Sequence, residues 1–264
     1  MSTEKKRKKD LGIFYTDERI VDFIFNILLL WKKQEDQRWH FSSEKRKFPS
    51  VIDPSCGEGG FLKVALKKNF TEPKYVWGVD IDEGAKKKWE EINLLQSFGS
   101  EAELDNHFIH QNGLLPLPEK KLRYKKRGLE EFDCVVGNPP YGGIGVRLKG
   151  KKLSPETQKL LNTLQKYEIF SYRKFRNLKK NKENMLFKLS EKTASFPLAE
   201  IAKMAEGIPI EVLFIERFIQ LTKPCGYIAI IIPDGILANA NLEYVRKFIS
   251  DNTLIFFDQL IISS

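Results

Sequence analysis

Short apolar runs alternate along this chain with longer segments in which apolar residues recur every three or four positions. The first pattern is typical of strands in a parallel sheet, and the second is typical of helices with one buried face. The runs predict strands at 51–55, 75–81, 107–112, 133–137, 227–233 and 253–262. The helical spacing predicts helices at 61–69, 84–98, 209–221 and 241–250. Elements that alternate in this way predict an α/β protein.

The first helix is predicted to begin at Thr16 or Asp17, since either side chain can accept hydrogen bonds from the first free N–H groups. Apolar residues then follow at helical spacing. The residues expected to form the buried face are Ile20, Phe23, Ile24, Ile27 and Leu28.

The apolar run at 227–233 predicts a strand that is buried on both faces, as in the interior of a parallel sheet. Together the strands predict a doubly wound, mostly parallel sheet. In such a sheet the ligand lies in the crevice above the carboxyl ends of the strands. The first, second and fourth strands all end in candidate binding residues.

Three glycines lie within four positions after the first strand, in the sequence Asp53-Pro-Ser-Cys-Gly-Glu-Gly-Gly-Phe61. Glycine permits a sharp bend and lets a ligand approach main-chain N–H groups that a Cβ would screen. We interpret the turn as a ligand cradle, although such turns also occur for packing reasons alone.

The second strand ends in Asp80, which lies 21 positions after Gly59. This is near the spacing at which an acidic residue reaches ribose hydroxyls in dinucleotide-binding units. Asp80 and Asp82 could equally cap the next helix. The glycine turn upstream favours the ribose interpretation.

The fourth strand runs into the loop Asn138-Pro-Pro-Tyr141. Pro139 and Pro140 fix φ and remove two N–H donors, so carbonyl groups stay free to accept hydrogen bonds. A stiff loop that carries one amide and one aromatic ring is suited to a planar ligand with an amino group.

The formal net charge of the chain is +9, which suggests a polyanionic partner. Residues 142–206 contain 15 Lys or Arg against 6 Asp or Glu, an excess as large as that of the whole chain. We interpret this segment as a basic insertion in one domain at 11–264, which follows a basic tail at 1–10. Rings and cations alternate in it, at Phe170, Tyr172, Arg173, Lys174, Phe175 and Arg176. That mixture is expected of a surface that meets phosphates and bases, and a solvated helical segment is the alternative.

Three cysteines in unrelated contexts support neither a disulfide framework nor a zinc site, and we expect no metal. The basic N-terminal run lacks the apolar core of a signal peptide. The most apolar run, at 20–31, is too short to cross a bilayer. We therefore expect a soluble, cytoplasmic protein with no membrane partner.

These segments together resemble the amino-methyltransferases that modify adenine N6 in DNA, above all the modification subunits of restriction-modification systems. The matching sequences are Gly12-x-Phe-Tyr-Thr16, the glycine turn from Asp53 to Phe61, Gly78-Val-Asp80 and Asn138-Pro-Pro-Tyr141. The resemblance implies a Rossmann-like sheet of the S-adenosylmethionine-dependent methyltransferase type. It also implies S-adenosylmethionine as cofactor and double-stranded DNA as partner.

The resemblance implies eight cofactor-binding residues. Near the methionine part would lie Tyr15, Thr16 and Asp53, with Pro54 beside them. Beneath the cofactor would lie Gly57 and Gly59, at its ribose Asp80, and at its adenine Asn112. The chain departs from the family in having Asp17 where proline is frequent and Asn112 where aspartate is frequent. An asparagine oxygen can still accept from the cofactor's adenine amino group, so we expect weaker binding and not its loss.

By the same resemblance, the loop activates the target amine. Adenine N6 is a poor nucleophile because its lone pair is delocalised into the ring. The Asn138 side-chain oxygen and the Pro139 carbonyl would accept its two N–H groups, and Tyr141 would stack on the base, which must be flipped out of the duplex.

Two other functions remain open at this point. A protein glutamine N5-methyltransferase uses the same Asn-Pro-Pro-Tyr sequence, and a catalytically silent DNA-binding subunit could retain the fold. Tyr15, Thr16 and the basic insertion favour nucleic acid, and the intact Asn138 loop favours catalysis. Since no complete target-recognition domain is recognisable, we expect a fragment that works with a specificity or restriction subunit.

Overall fold

The computed structural model describes residues 16–28, 30–32, 39–41, 48, 50–91, 107–118, 131–142, 154–175 and 196–254. The chain divides into two compact units, Met1–Pro140 with Gln220–Ile231, and Tyr141–Ile219 with Ile232–Ser264. The predicted tail at 1–10 and Tyr15 lie outside the described residues. The same holds for most of the predicted strand at 253–262.

The first described element of the first unit is helix α1 (Glu18–Leu28), and two short antiparallel strands follow, β1 (Leu30–Lys32) and β2 (Trp39–Phe41). Its main sheet contains β3 (Val51–Asp53), β4 (Val76–Asp80), β5 (Phe108–His110), β6 (Phe132–Gly137) and β7 (Thr222–Ile230). The order is β5-β4-β3-β6-β7, and every pairing is parallel. The predicted doubly wound, parallel α/β sheet is confirmed.

Helices α2 (Gly60–Lys67) and α3 (Glu83–Glu91) connect the first strands of this sheet, and each begins one residue before the predicted helix. From β3 the chain moves outward through β4 and β5, and then returns to the other side of β3 to form β6. Doubly wound proteins bind ligands at the point where the strand order reverses in this way. Here that point lies between β3 and β6, at the ends that carry the glycine turn and Asn138.

The buried face of α1 differs from the predicted one. Its buried residues are Val21, Phe25 and Leu28, whereas Phe23 is 43% exposed. Of the other predicted residues, Ile24 is partly buried and packs against the core, and Ile20 and Ile27 are half-buried. The predicted stripe is therefore wrong at Phe23, and it omitted Val21 and Phe25. The apolar residues cover an arc that is wider than the buried face, so spacing alone does not show which part of the arc is buried. Contacts with neighbouring elements decide this, since Phe25 packs edge-on against Phe70 with ring centroids 4.8 Å apart.

Strand β7 also differs from its prediction. It lies at the edge of the described sheet, and its residues from 227 to 230 are half-buried. The expectation of a strand buried on both faces is therefore wrong for the part of the sheet that the structure describes. The strand begins at Thr222, ahead of Pro224, which an edge strand tolerates because its outward N–H need not pair.

The described residues of the second unit are mostly helical. Its α-helices are α4 (Pro155–Leu164), α5 (Ile169–Phe175), α6 (Leu198–Glu206), α7 (Ile210–Leu221, whose last two residues belong to the first unit), α8 (Asp234–Ala238) and α9 (Glu243–Asn252). Glu216 on α7 caps α5 by accepting hydrogen bonds from the N–H groups of Glu168 and Ile169, at 2.7 and 2.9 Å. The predicted helices at 209–221 and 241–250 are confirmed.

Candidate active site

The glycine turn follows β3 and opens onto free space. Gly57 has φ of 48° and Gly59 has φ of 80°, a region that side-chain-bearing residues rarely adopt. Gly59 caps α2, which begins at Gly60. A Cβ added at Gly57 or Gly60 would meet no atom within 4 Å. The turn therefore has open space at Gly57 and Gly60, and its role as a ligand cradle stays a prediction.

Asp80 holds the turn from the neighbouring strand. Its Oδ2 accepts a hydrogen bond from the Gly57 N–H at 2.7 Å, and its Oδ1 accepts from the Asp82 N–H at 2.8 Å. Asp82 has the capping role instead, since its Oδ1 accepts from the Gly84 N–H at 3.0 Å in the first turn of α3. The two carboxylates that the sequence left ambiguous therefore have separate structural roles. A contact between Asp80 and ribose stays a prediction.

Trp89 supports the turn from below and was not singled out from the sequence. Its indole Nε1 donates a hydrogen bond to the Gly57 carbonyl at 3.0 Å, and its side chain is completely buried. A Cβ at Gly78 would overlap the Trp89 ring and come within 2.8 Å of the Cys56 Sγ. A glycine inside the apolar strand β4 was the available sequence signal, since it indicates a large neighbour.

Asp53 ends β3 with a carboxyl group that is only 1% exposed. Its Oδ1 accepts from the Ser55 N–H at 2.9 Å, and within the described residues the hydrogen bonds to Asp53 reach Oδ1 only. Burial, opposed by the Ser55 N–H and reinforced by the charge of Asp80, raises the pKa of Asp53 to about 8. Pro54 is buried directly after it. A buried acid with an oxygen to spare fits a cationic ligand group such as an ammonium.

Asn138 and Thr16, 122 positions apart in the sequence, meet in the first unit. The Asn138 Nδ2 donates a hydrogen bond to the Thr16 Oγ1 at 2.9 Å. The sequence placed Thr16 beside the methionine part of a cofactor, and the structure brings its hydroxyl to the proposed catalytic amide. Residue 15 lies outside the described residues, so no contact of Tyr15 is known.

The rest of the Asn138 loop spans the boundary between the units along the chain. Pro139 is buried and Pro140 half-buried in the first unit, and Tyr141 is the first residue of the second. Burial, with a contribution from the charge of Glu211, raises the pKa of the Tyr141 hydroxyl. Tyr141 is therefore neutral at physiological pH, as a residue that stacks on a base should be.

Asn112 and Ile81 lie beyond the ends of β5 and β4. The Asn112 Oδ1 accepts from the Leu114 N–H at 3.0 Å, so the side chain stabilises its own turn. Ile81 directly follows Asp80 and is 58% exposed. An exposed aliphatic side chain at the ligand edge of a sheet offers a flat apolar contact, and the sequence analysis missed it because it lay inside an apolar run.

The basic segment was predicted to present aromatic rings and cations together on a surface. For the residues whose side chains are described, this prediction is wrong. Phe170 is fully buried, and Tyr172 packs against Phe248 and donates to the Asp251 carboxylate at 3.1 Å. The Arg173 guanidinium donates to the Met204 carbonyl, and Lys174 pairs with Glu200. The rings are core residues because they occupy the inner face of α5. Arg176 and the side chain of Phe175 lie outside the described residues.

Among the described residues, no group of three or more His, Cys, Asp or Glu is arranged to hold a metal ion. No helix in the same ranges is long and apolar enough to span a bilayer.

Comparison with known proteins shows the family to which the chain belongs. The family described as N-6 DNA Methylase matches residues 2–159, which is more than half of the chain. A tRNA (guanine(10)-N2)-dimethyltransferase from Methanocaldococcus jannaschii is 31% identical over 134 residues. That match covers 47% of this chain and 32% of the archaeal protein, so the chain spans about a third of this relative's length.

Solved structures that can be superposed on this chain include a proposed class I S-adenosylmethionine-dependent methyltransferase from Listeria monocytogenes. It is 20% identical, with a TM-score of 0.45 over 89% of this chain and 50% of that one. The modification subunit of a proposed type I restriction enzyme from Vibrio vulnificus is 17% identical, with a TM-score of 0.48 over 92% and 40%. The type IIG restriction endonuclease BpuSI is 19% identical, with a TM-score of 0.46 over 90% and 22%.

Proposed function

The chain belongs to the N-6 DNA methylase family, and from this premise we propose that it transfers a methyl group from S-adenosylmethionine to adenine N6 in DNA. Its role would be the modification part of a restriction-modification system. The observation that carries the proposal is the hydrogen bond between Asn138 and Thr16, because it orients an amide at the ligand edge of the sheet.

The residues around the glycine turn fit S-adenosylmethionine. The turn at Gly57 and Gly59, which has open space at Gly57 and Gly60, would lie beneath the cofactor, and the buried Asp53 carboxyl would receive its ammonium group. Asp80 would bind the ribose, while Thr16, Tyr15, Pro54 and Asn112 complete the proposed surroundings. When bound, the cofactor supplies an electrophilic methyl group on a sulfonium centre.

The loop residues would prepare the amine for that methyl group. The Asn138 Oδ1 and the Pro139 carbonyl would accept the two N6 hydrogens and stabilise the positive charge that develops on nitrogen. Pro140 keeps the loop stiff, and Tyr141 would stack on the flipped base. None of these groups needs to be a strong base, since their contribution is orientation and charge stabilisation.

Double-stranded DNA and a specificity or restriction subunit are the proposed partners, and the cytoplasm is the proposed location. A second candidate is an exocyclic amino group of a base in RNA. The tRNA guanine methyltransferase from Methanocaldococcus jannaschii, at 31% identity, favours it. Both candidates share the chemistry of methyl transfer to an amine whose lone pair is delocalised into a ring.

The deciding experiment is to incubate the full chain with labelled S-adenosylmethionine and DNA, RNA or protein, and to identify the methylated product by mass spectrometry. We expect N6-methyladenine in DNA, and we expect Asn138→Ala to abolish it while cofactor affinity is retained. Methylguanine in RNA would support the second candidate, and methylglutamine would indicate a protein substrate. Cofactor binding without any methylated product would indicate a silent subunit.

A further inference from the structure

A small polar cluster links α1 to the end of α2 in the first unit. The ammonium group of Lys68, the residue that follows α2, contacts the Asp22 Oδ1 at 2.8 Å and donates a hydrogen bond to the Asn26 Oδ1 at 2.9 Å. The Asn26 Nδ2 in turn donates to the Asp22 Oδ2 at 3.1 Å, so the three side chains close a ring of contacts. The proposed mechanism uses none of them.

The Lys68 contacts are better shielded from water than the second ion pair between the same two helices. The side chain of Lys68 is 21% exposed and that of Asp22 is 50% exposed, whereas Lys67 and Glu18, which meet at 3.2 Å, are 71% and 57% exposed. An exposed pair contributes little because water and salt screen it. The hydrogen bond from Lys68 also holds the pKa of the Asp22 carboxyl below its ordinary value, so both groups are charged at physiological pH.

This polar cluster restrains α1 in a way that the apolar contact between the helices does not. Phe25 packs against Phe70, but burial of apolar surface is non-directional and tolerates sliding. Hydrogen bonds depend on distance and angle. Asp22 and Asn26 lie four positions apart, on one face of α1 and about one turn from each other. An ammonium group that binds both therefore fixes the position of α1 along its own axis.

The N-terminal end of α1 carries Thr16 to the candidate catalytic amide. Asp17 caps the helix, since its Oδ1 accepts a hydrogen bond from the Arg19 N–H at 2.8 Å. Thr16 directly precedes this cap, and its Oγ1 accepts from the Asn138 Nδ2 at 2.9 Å. Less than two helical turns separate Thr16 from Asp22, so a shift of α1 reaches Thr16 undiminished. A shift of roughly 0.6 Å away from Asn138 would stretch this hydrogen bond to its limit.

We propose that Lys68 is a positioning residue for methyl transfer. By binding Asp22 and Asn26, it holds α1 where the Thr16 hydroxyl meets the Asn138 amide. This inference rests on the proposed function, in which the orientation of Asn138 prepares the target amine. Lys68 acts through Thr16 and takes no part in the chemistry, so its loss cannot cost more than the loss of the Thr16 hydroxyl.

Lys68→Met tests the role, because it removes the ammonium group and retains an apolar stem. We expect kcat at saturating S-adenosylmethionine to fall about threefold to tenfold, since the catalytic amide is displaced. Lys74→Met is the matched control, because Lys74 pairs with Glu72 and not with α1, and its kcat should equal that of the parent. The assays are run well below the melting temperature of every variant. An unchanged kcat in Lys68→Met would overturn the proposal.

Combination with substitutions of Thr16 shows whether Lys68 acts through that residue. In the Thr16→Val background the hydrogen bond to Asn138 is absent, so adding Lys68→Met should change kcat by less than about 1.5-fold. In the Thr16→Ser background the hydroxyl is retained, and the full loss should reappear. An equal loss in the parent and in both backgrounds would mean that Lys68 acts by another route, which contradicts the proposal.

A measurement without substrate separates this inference from the proposed function. In protein labelled with ¹⁵N, the Asn138 side-chain signal is assigned by its loss in Asn138→Asp. Lys68→Met and Thr16→Val should each speed the exchange of its Nδ2 protons with solvent by about threefold or more, and Lys74→Met should not. Equal exchange in the parent and in Lys68→Met disproves the link between Lys68 and Asn138. A parent that methylates no DNA, RNA or protein disproves the proposed function, and the exchange rates still decide that link.

Discussion

The hydrogen bond to Thr16 fixes the orientation of the Asn138 amide. An asparagine side chain has a donor end and an acceptor end on opposite sides of one carbon. Because Nδ2 donates to the Thr16 hydroxyl, Oδ1 is directed away from Thr16. An acceptor that is held in place before the substrate arrives needs no reorganisation during reaction.

We therefore expect Thr16→Val to lower kcat by about tenfold, since the loss of one hydrogen bond weakens the restraint on the Asn138 amide. Thr16 also belongs to the proposed cofactor surroundings, so cofactor affinity is measured separately. Thr16→Ser is the matched control, because it retains the hydroxyl and should restore the rate. Steady-state kinetics at saturating S-adenosylmethionine and a cofactor titration separate the two effects. An unchanged kcat, whatever the cofactor affinity, would contradict the orienting role of Thr16.

The buried acid Asp53 makes stability depend on pH. Burial raises its pKa from 3.8 to about 8, so the native state binds this proton more tightly than the unfolded chain does. The resulting contribution to stability is fully present below about pH 4 and is lost as the pH rises through about 8.

Asp53→Asn should remove this dependence, because an asparagine stays neutral and can still accept from the Ser55 N–H. We expect the melting temperature of the free variant to exceed that of the parent above pH 8, and the two to converge near pH 4. The same substitution should abolish cofactor binding, which in the parent should strengthen as the pH approaches 8. Parallel melting curves of parent and variant across this range would show that Asp53 is ionised in the free protein.

The glycine turn is an element whose shape depends on two contacts made by Gly57. Asp80 accepts the Gly57 N–H from one side, and Trp89 donates to its carbonyl from the other. The turn is thus fixed in an open conformation before any ligand binds, which lowers the entropic cost of binding.

Trp89→Phe should weaken cofactor binding by about tenfold and lower stability by about 1–3 kcal/mol, because the hydrogen bond to Gly57 is lost and a small cavity remains. Trp77→Phe is the matched control, since Trp77 is equally buried in β4, whereas the two contacts of Gly57 come from Asp80 and Trp89. It should lower stability by a similar amount without changing cofactor affinity. Thermal unfolding and cofactor titration measure both quantities, and equal affinities for the two variants would contradict the role of Trp89.

The elements that could be predicted from the sequence are those decided by local chemistry. The strand ends, the glycine turn and the Asn138 loop depend on residues within a few positions of one another. The buried face of α1, the edge position of β7 and the burial of Phe170 depend on neighbours distant in the sequence. For the same reason the contact of Thr16 with Asn138 and the support by Trp89 could not be predicted.

At the scale of the whole molecule, the net charge of +9 suggests a polyanionic partner. The surface that contacts this partner should lie outside α5, because Arg173 and Lys174 are paired within the protein. Lys159 on α4 and Lys166, just after the end of that helix, are both exposed and line one open groove together with Gln158 and Asn162. Two cations with polar amides between them suit a phosphate backbone.

We expect the double substitution of Lys159 and Lys166 by Ala to weaken DNA binding for all sequences alike and to reduce the salt slope by about two. Lys174→Ala, which removes a cation that is paired with Glu200, should leave the slope unchanged. Binding isotherms at several salt concentrations measure the slopes. A larger change in the salt slope for Lys174→Ala than for the double variant would indicate that the phosphate contacts lie on α5.

Strand β7 pairs with β6 at the edge of the described sheet, but the ribosome synthesises the whole of 141–219 before it reaches β7. During synthesis the edge of β6 therefore stays without its partner while roughly 90 more residues are added, which takes on the order of 5–20 s at cellular translation rates. Val135 and Val136 keep an open row of N–H and C=O groups on that side until Ile228 and Ala229 leave the ribosome. The nascent chain is most open to wrong strand pairing in that interval, so its yield of folded protein depends on how quickly the ribosome passes through the second unit.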